Sequence, residues 1–235
     1  MSYRLWYWPD LQGRGEFIRL PLEAAGIAYN DCGRMRGAEV MLENMESHGG
    51  RQPFAPPYLE LDGLIVAQTA NILMYLGERH DLAPSGMRDR LWLHQLQLTI
   101  ADLVAEVHNV HHPVAAMDYY DAQKPEAARA ALQFRNERMP KYFDHFEQAI
   151  ASSSGDWLVD HRWTYADCSL FQIVEGLRYM FPQRMATLEP DYPRLVRIRD
   201  QVADLPGIRA YLKSDRRIPF NTDGIFRHYP ELDAA

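Results

Sequence analysis

Between residues 55 and 72 the chain reads APPYLELDGLIVAQTANI, and this stretch constrains the fold more than any other. Tyr58 to Leu61 and Leu64 to Ala67 are two short apolar runs joined at Asp62-Gly63, a dipeptide that favours the positive φ of a hairpin turn. A helix is expected to begin near Thr69. A helix N-terminus carries unpaired N–H groups and a partial positive charge, so it favours a carboxylate or phosphate. Pro57 stands directly before the first strand, where an X-Pro bond can take the cis form and aim backbone groups outward. Taken alone, the stretch suggests a site for an extended, anionic, peptide-like molecule.

The surrounding pattern predicts a mixed sheet with helices packed on it. Leu5 to Trp8 forms an aromatic strand, and Gly13 opens an amphipathic helix carrying Phe17, Ile18, Leu20 and Leu22 and closing near Gly26. Tyr29 to Gly33 is expected to form a second strand and Ala38 to Glu46 a helix, with a Gly- and Pro-rich loop from Ser47 to Pro57. The order is β-α-β-α-β-β-α over residues 1–80, and residues 81–87 form a polar, turn-rich linker. From residue 88 to 235 the periodicity is helical almost throughout. Leu91 to Val107 marks one long helix, and Ala127 to Ile150 another, interrupted or kinked at Pro140. Tyr192 to Val202 and Ile208 to Lys213 are later helices. The fold class is therefore α/β plus all-α.

Composition narrows the function. A net charge of −7 with Lys and Arg scattered through the chain lacks the basic footprint of a nucleic-acid binder. Cys32 and Cys168 stand alone, outside any C-x-x-C pattern, which fits a reduced cytoplasmic setting better than a disulfide framework. No apolar run reaches membrane-spanning length, and the N-terminus lacks a signal-peptide core. His108, His111 and His112 share a helical face, but no nearby Glu or Cys completes a zinc set, so no metal is expected. Gly13 and Gly15 do not make a dinucleotide loop.

Tyr7, the run Gly13-Arg14-Gly15-Glu16 with Ile18-Arg19, the segment Pro57 to Gly63, Gln68 to Ile72, and Thr164 to Asp167 occur in an order and spacing that resemble a glutathione transferase. The resemblance is to the tyrosine-dependent group that includes the alpha, mu, pi and sigma classes, with this chain a divergent member. It implies a thioredoxin-like N-terminal domain, an all-helical second domain with a pocket for a hydrophobic substrate, and a homodimer. It also implies the conjugation of glutathione, the co-substrate, to small hydrophobic electrophiles, as in detoxification, with no metal or nucleotide. A glutathione-dependent isomerase or peroxidase, or a non-enzymatic binding or structural protein of the same fold, are the alternatives.

Tyr7 by itself reads as one more aromatic beside Tyr3, Trp6 and Trp8; the resemblance makes it the hydrogen-bond donor to the glutathione thiolate. Arg14 would add a cation there, or be a solvated residue of the first helical turn. Gln12 occupies the place where the family usually has Arg. Gln68 and Thr69 correspond to the Gln and Ser that hold the γ-glutamyl end, although Thr69 could also act as a helix N-cap. Asp102 corresponds to an acidic residue that reaches the ligand's amino group across a dimer, or else lies on a solvated helix face. Pro56 stands where the family supplies a backbone N–H to the cysteinyl unit, a lost bond worth about 1 kcal/mol. Gln52 or Arg51 would replace the missing Gln of that loop, where Ala55 stands, and Phe54 would anchor into a partner subunit. Trp8, Pro9, His108 and His112 are candidates for the electrophile pocket, while Thr164 and Asp167 form a structural capping pair.

Overall fold

The computed structural model describes residues 2–159 and 161–234. Four strands, β1 (Tyr3–Trp6), β2 (Tyr29–Asp31), β3 (Tyr58–Leu61) and β4 (Leu64–Ala67), form a sheet in the order β2-β1-β3-β4. β1 and β2 are parallel and are joined through helix α1 (Gly13–Ala24); β3 is antiparallel to both β1 and β4. The period-two alternation of the strands assigns each face. Tyr3, Leu5, Leu59 and Leu61 point to the face covered by α1 and α4 (Thr69–Arg79), where they meet Ile18, Leu22, Ile72 and Leu76. Trp6 and Tyr58 point the other way, toward Cys32 and Met41 of α2 (Cys32–Arg36) and α3 (Ala38–Glu46).

The second strand is shorter than the expected Tyr29 to Gly33, because the chain turns into α2 at Cys32. Gly33 then passes so close to the end of β1 that a Cβ there would overlap the Tyr7 carbonyl oxygen. An extended residue with a side chain has no room at that point.

After α4 come α5 (Met87–His111), α6 (Lys124–Gln133), α7 (Met139–Ser152), α8 (Tyr165–Met180), α9 (Pro182–Leu188), α10 (Pro193–Asp204) and α11 (Pro206–Leu212). The interruption expected at Pro140 falls just ahead of it, in a π turn over Phe134–Arg138. Proline lacks an N–H for the i−4 bond, so Pro140 sits in the first turn of α7 and the widened turn precedes it. Asp167 begins α8 as the capping partner of Thr164: its carboxylate accepts from the Thr164 N–H at 2.7 Å, the Thr164 hydroxyl at 2.7 Å and the Leu158 N–H at 2.9 Å. Burial pushes this carboxyl up to about 6, against the pull of those donors.

Beyond α11 the chain returns across the first domain as a strap, bonding carbonyls and side chains on the way. Arg34 donates to the Arg216 carbonyl at 2.6 Å, Arg216 pairs with Glu23 at 2.8 Å, and Asn221 donates to the Asp10 carbonyl at 2.9 Å. Among the described residues no helix is long and apolar enough to cross a membrane.

Candidate functional site

Strand register lines up three of the candidate residues at one end of the sheet. Trp6 pairs with Tyr58, and Tyr58 with Ala67. One step further along each strand come Tyr7, Pro57 and Gln68. The Pro56–Pro57 bond is cis. Continuing the row of Tyr3 and Leu5, Tyr7 turns toward α1, where a Cβ on Gly15 would come within 2.6 Å of its ring and one on Gly13 would overlap its hydroxyl. Gly13, at φ +43, lets the backbone pass this close.

The Tyr7 hydroxyl oxygen accepts a hydrogen bond from the Arg14 N–H at 2.9 Å. It donates to no acceptor among the described residues, so its own hydrogen is free for a ligand. Burial raises the Tyr7 phenol above its ordinary value, with the Arg14 N–H and the charges of Arg14 and Arg19 opposing. The side chain is thus a neutral donor at working pH.

Thr69 is the first residue of α4, and Gln68 is its N-cap at φ 69, ψ 120. That φ is strained for a residue with a side chain and is held where the hairpin passes into the helix. Thr69 is therefore not the N-cap; its hydroxyl is buried and has no hydrogen-bond partner among the described residues. An orphaned hydroxyl beside the first N–H groups of a helix fits a carboxylate well. Arg14 and Thr69 also meet at a cavity of about 20 Å³ shared with Phe17, Gln97 and Ile100, which joins the two domains and is too small for a substrate.

The other candidates are more dispersed. Gln52 is exposed after the turn Gly49–Arg51, and Pro56 and Pro9 are half-buried. Trp8 packs partly against the Trp6 and Tyr58 cluster, and Asp102 is exposed on α5. His108 stacks on His112 with ring centroids 5.1 Å apart, and the charge of Arg14 helps to hold His108 below its usual range, after burial and His112. A cavity of about 640 Å³ lies along β2 among Glu23, Tyr29 and Arg216, and none of the candidate residues lines it. No group of three or more His, Cys, Asp and Glu side chains is arranged to hold a metal among the described residues.

Residues 108–215 match the family described as glutathione S-transferase, C-terminal domain. Over 214 residues the chain is 27% identical to mouse glutathione S-transferase A3, covering 90% of each protein. Residues 108–215 thus match a glutathione S-transferase domain, and the chain is similar to glutathione transferases over most of its length. Solved structures of like fold include prostaglandin synthase D of Nilaparvata lugens, with a TM-score of 0.70 and 23% identity over 93% of this chain and 100% of that one. The Pi-class glutathione S-transferase of Onchocerca volvulus has a TM-score of 0.73 and 19% identity over 91% of this chain and 93% of that one.

The residues around Tyr7 are braced by buried groups whose partners sequence reasoning missed. Gln12 is buried, its amide donating to the Ile218 carbonyl and accepting from Gln172 at 2.8 Å. Arg19 is fully buried, pairs with Asp31 at 2.8 Å and Glu16 at 3.1 Å, and donates to the Leu11 and Gln12 carbonyls at 3.3 and 3.4 Å. Glu16 in turn receives Tyr211 at 2.8 Å and Arg217 of the strap. Only the i, i+3 spacing of Glu16 and Arg19 was a signal, and it is equally the spacing of a solvated helix pair.

Proposed function

We propose that the chain is a tyrosine-type glutathione transferase in which residues 1–80 bind glutathione, 81–87 link the domains and 88–235 build the electrophile pocket. Tyr7 donates its free hydrogen to the sulfur of glutathione, so that the thiolate form predominates. The sulfur lone pair attacks an electrophilic carbon; a C–S bond forms and the leaving group departs with its electrons. Arg14 adds a cation near the sulfur, while Gln68 and Thr69 take the γ-glutamyl carboxylate at the start of α4. The observation that carries this reading is the Tyr7 hydroxyl, fixed by the Arg14 N–H with its hydrogen unclaimed.

Glutathione titrated into the protein at pH 7 is expected to give the ultraviolet absorbance of a bound thiolate. Binding without that band would favour the second reading, a non-catalytic ligand binder, which the missing N–H of Pro56 supports. Pro56→Val restores the donor and should tighten glutathione by roughly threefold to tenfold in calorimetry. Unchanged affinity would remove the proline from the explanation.

A homodimer is part of the proposal. Phe54 is 92% exposed, and Leu91, Leu98 and Met74 are also exposed, although large apolar side chains at the surface mark interaction sites when they cluster. Sedimentation is expected to show a dimer that Phe54→Ala weakens; a monomer at all concentrations would refute it.

A further inference from the structure

The stretch between α3 and β3 is tied down at its ends and not between them. Apart from the turn Gly49–Arg51 itself, no hydrogen bond or ion pair joins residues 49–56 to the rest of the protein among the described residues. The last polar anchor before them is His48. Its Nε2 lies 3.3 Å from Asn44 Oδ1 and 3.1 Å from Glu60 Oε1. Both oxygens are acceptors, so this nitrogen carries the hydrogen.

Glu60 is buried on β3, and strand alternation puts it on the same face as Tyr58, together with their register partners Arg4 and Trp6. The Trp6 indole donates to Glu60 Oε2 at 2.8 Å, and Arg4 pairs with the same oxygen at 2.9 Å. Oε1 is left to face His48. A carboxylate withdrawn from water holds such a partner more firmly than an exposed one does. Asn44 is fixed in turn by the Tyr58 hydroxyl at 2.7 Å, and the His48 ring stands edge-on to Tyr58 with centroids 6.1 Å apart. Strand β3 therefore holds both ends of the stretch, because Glu60 lies three positions after the cis Pro56–Pro57 bond. Sheet register sets Pro57 beside Tyr7, each one step beyond the Trp6 and Tyr58 pair. Without the His48 anchor the free segment lengthens back to the end of α3, and displaced arrangements gain population.

We propose that His48 is a positioning residue: latched on Glu60, it holds residues 49–57 in one arrangement and so fixes the cis proline beside Tyr7. Its effect on glutathione rests on the transferase reading, whereas the latch does not. His48→Phe keeps a ring against Tyr58 and removes the donor, while His48→Gln returns an N–H at similar reach. Brief trypsin treatment of the full chain at pH 7, read by mass spectrometry as fragments 1–51 and 52–235, reports opening around Arg51. His48→Phe should speed this cut roughly tenfold without speeding others, and His48→Gln should recover most of the protection. Glu60→Gln approaches the latch from the other side. Arg4 and Trp6 hold its amide oxygen, so its NH2 faces the His48 donor and the same cut should accelerate. Calorimetry should show His48→Phe weakening glutathione roughly fivefold to tenfold, with kcat within about twofold and the thiol pKa of the complex unmoved, because Tyr7 is held by α1. Unchanged cleavage in both His48→Phe and Glu60→Gln would overturn the proposal. So would faster cleavage with unaltered glutathione affinity, or a kcat that falls as far as kcat/KM. Faster cleavage in these variants of a protein whose wild type binds no glutathione would support the latch and overturn the transferase reading.

Discussion

Tyr7→Phe is expected to lower kcat/KM for glutathione conjugation by roughly 25- to 100-fold while leaving glutathione affinity within a few-fold. The lower bound follows from thiol ionisation. An unperturbed thiol of pKa about 8.5 is about 3% thiolate at pH 7, whereas one lowered by about two units is about 75% thiolate. The remainder comes from positioning the sulfur for attack. The substitution removes one oxygen and keeps the ring that Gly13 and Gly15 enclose, so the fold around it is preserved. Its structural cost is the Arg14 N–H, which loses its acceptor. The pH profile gives a second check, because the wild-type Tyr7 is a neutral donor and the ionisation seen in kcat/KM belongs to the sulfur. In Tyr7→Phe that ionisation should move up toward about 8.5, so the deficit shrinks as pH rises. A rate within twofold of wild type at pH 7 would assign thiolate formation to Arg14 instead.

The order of apolar runs and helical periods was enough to anticipate a mixed sheet with helices packed on it, and the Asp62-Gly63 turn fell where its residue types require, although the first strand runs over Tyr3–Trp6 and not from Leu5 to Trp8. Both are local signals. Cys32 to Arg36 was not legible as a helix because five residues carry too little periodicity, and the turn answers to Gly33 meeting the Tyr7 carbonyl, a contact distant in sequence. Gln12 stood out only as a departure from the family pattern. Its partners, Gln172 and Ile218, lie in the second domain and in a strap with no regular spacing, so nothing near Gln12 announces that its amide bonds at both ends. The buried His111 ring likewise bonds the Ile225 carbonyl, 114 residues further along the chain.

Glu16→Ala is expected to cost about 3–5 kcal/mol of folding stability, a large share of the roughly 5–15 kcal/mol that holds a domain folded. Glu16 and the side chain of Arg19 are inaccessible to solvent, and Arg217 is nearly so. Burial works against the charge on Arg19, and the Glu16 and Asp31 carboxylates outweigh it. Removing Glu16 leaves Arg19 with Asp31 as its remaining carboxylate partner, Arg217 on Gln172 at 3.1 Å, and the Tyr211 hydroxyl without its acceptor. Water cannot reach these groups without opening the packing between α1, α11 and the strap. The loss is therefore a desolvation penalty, and it should change little between low and high salt. Glu16→Gln keeps an acceptor for Tyr211 and one guanidinium and should cost less, about 1–3 kcal/mol. Because Arg19 also holds the Leu11 and Gln12 carbonyls, Glu16→Ala should loosen the turn that places Gly13 and Arg14 against Tyr7. Conjugation should then fall even under conditions where the variant is fully folded. Urea unfolding monitored by tryptophan fluorescence checks the first effect, and the thiol pKa in the glutathione complex checks the second. A loss below 1 kcal/mol would mean that water enters the network, and the strap would then be a surface feature without a hold on the site.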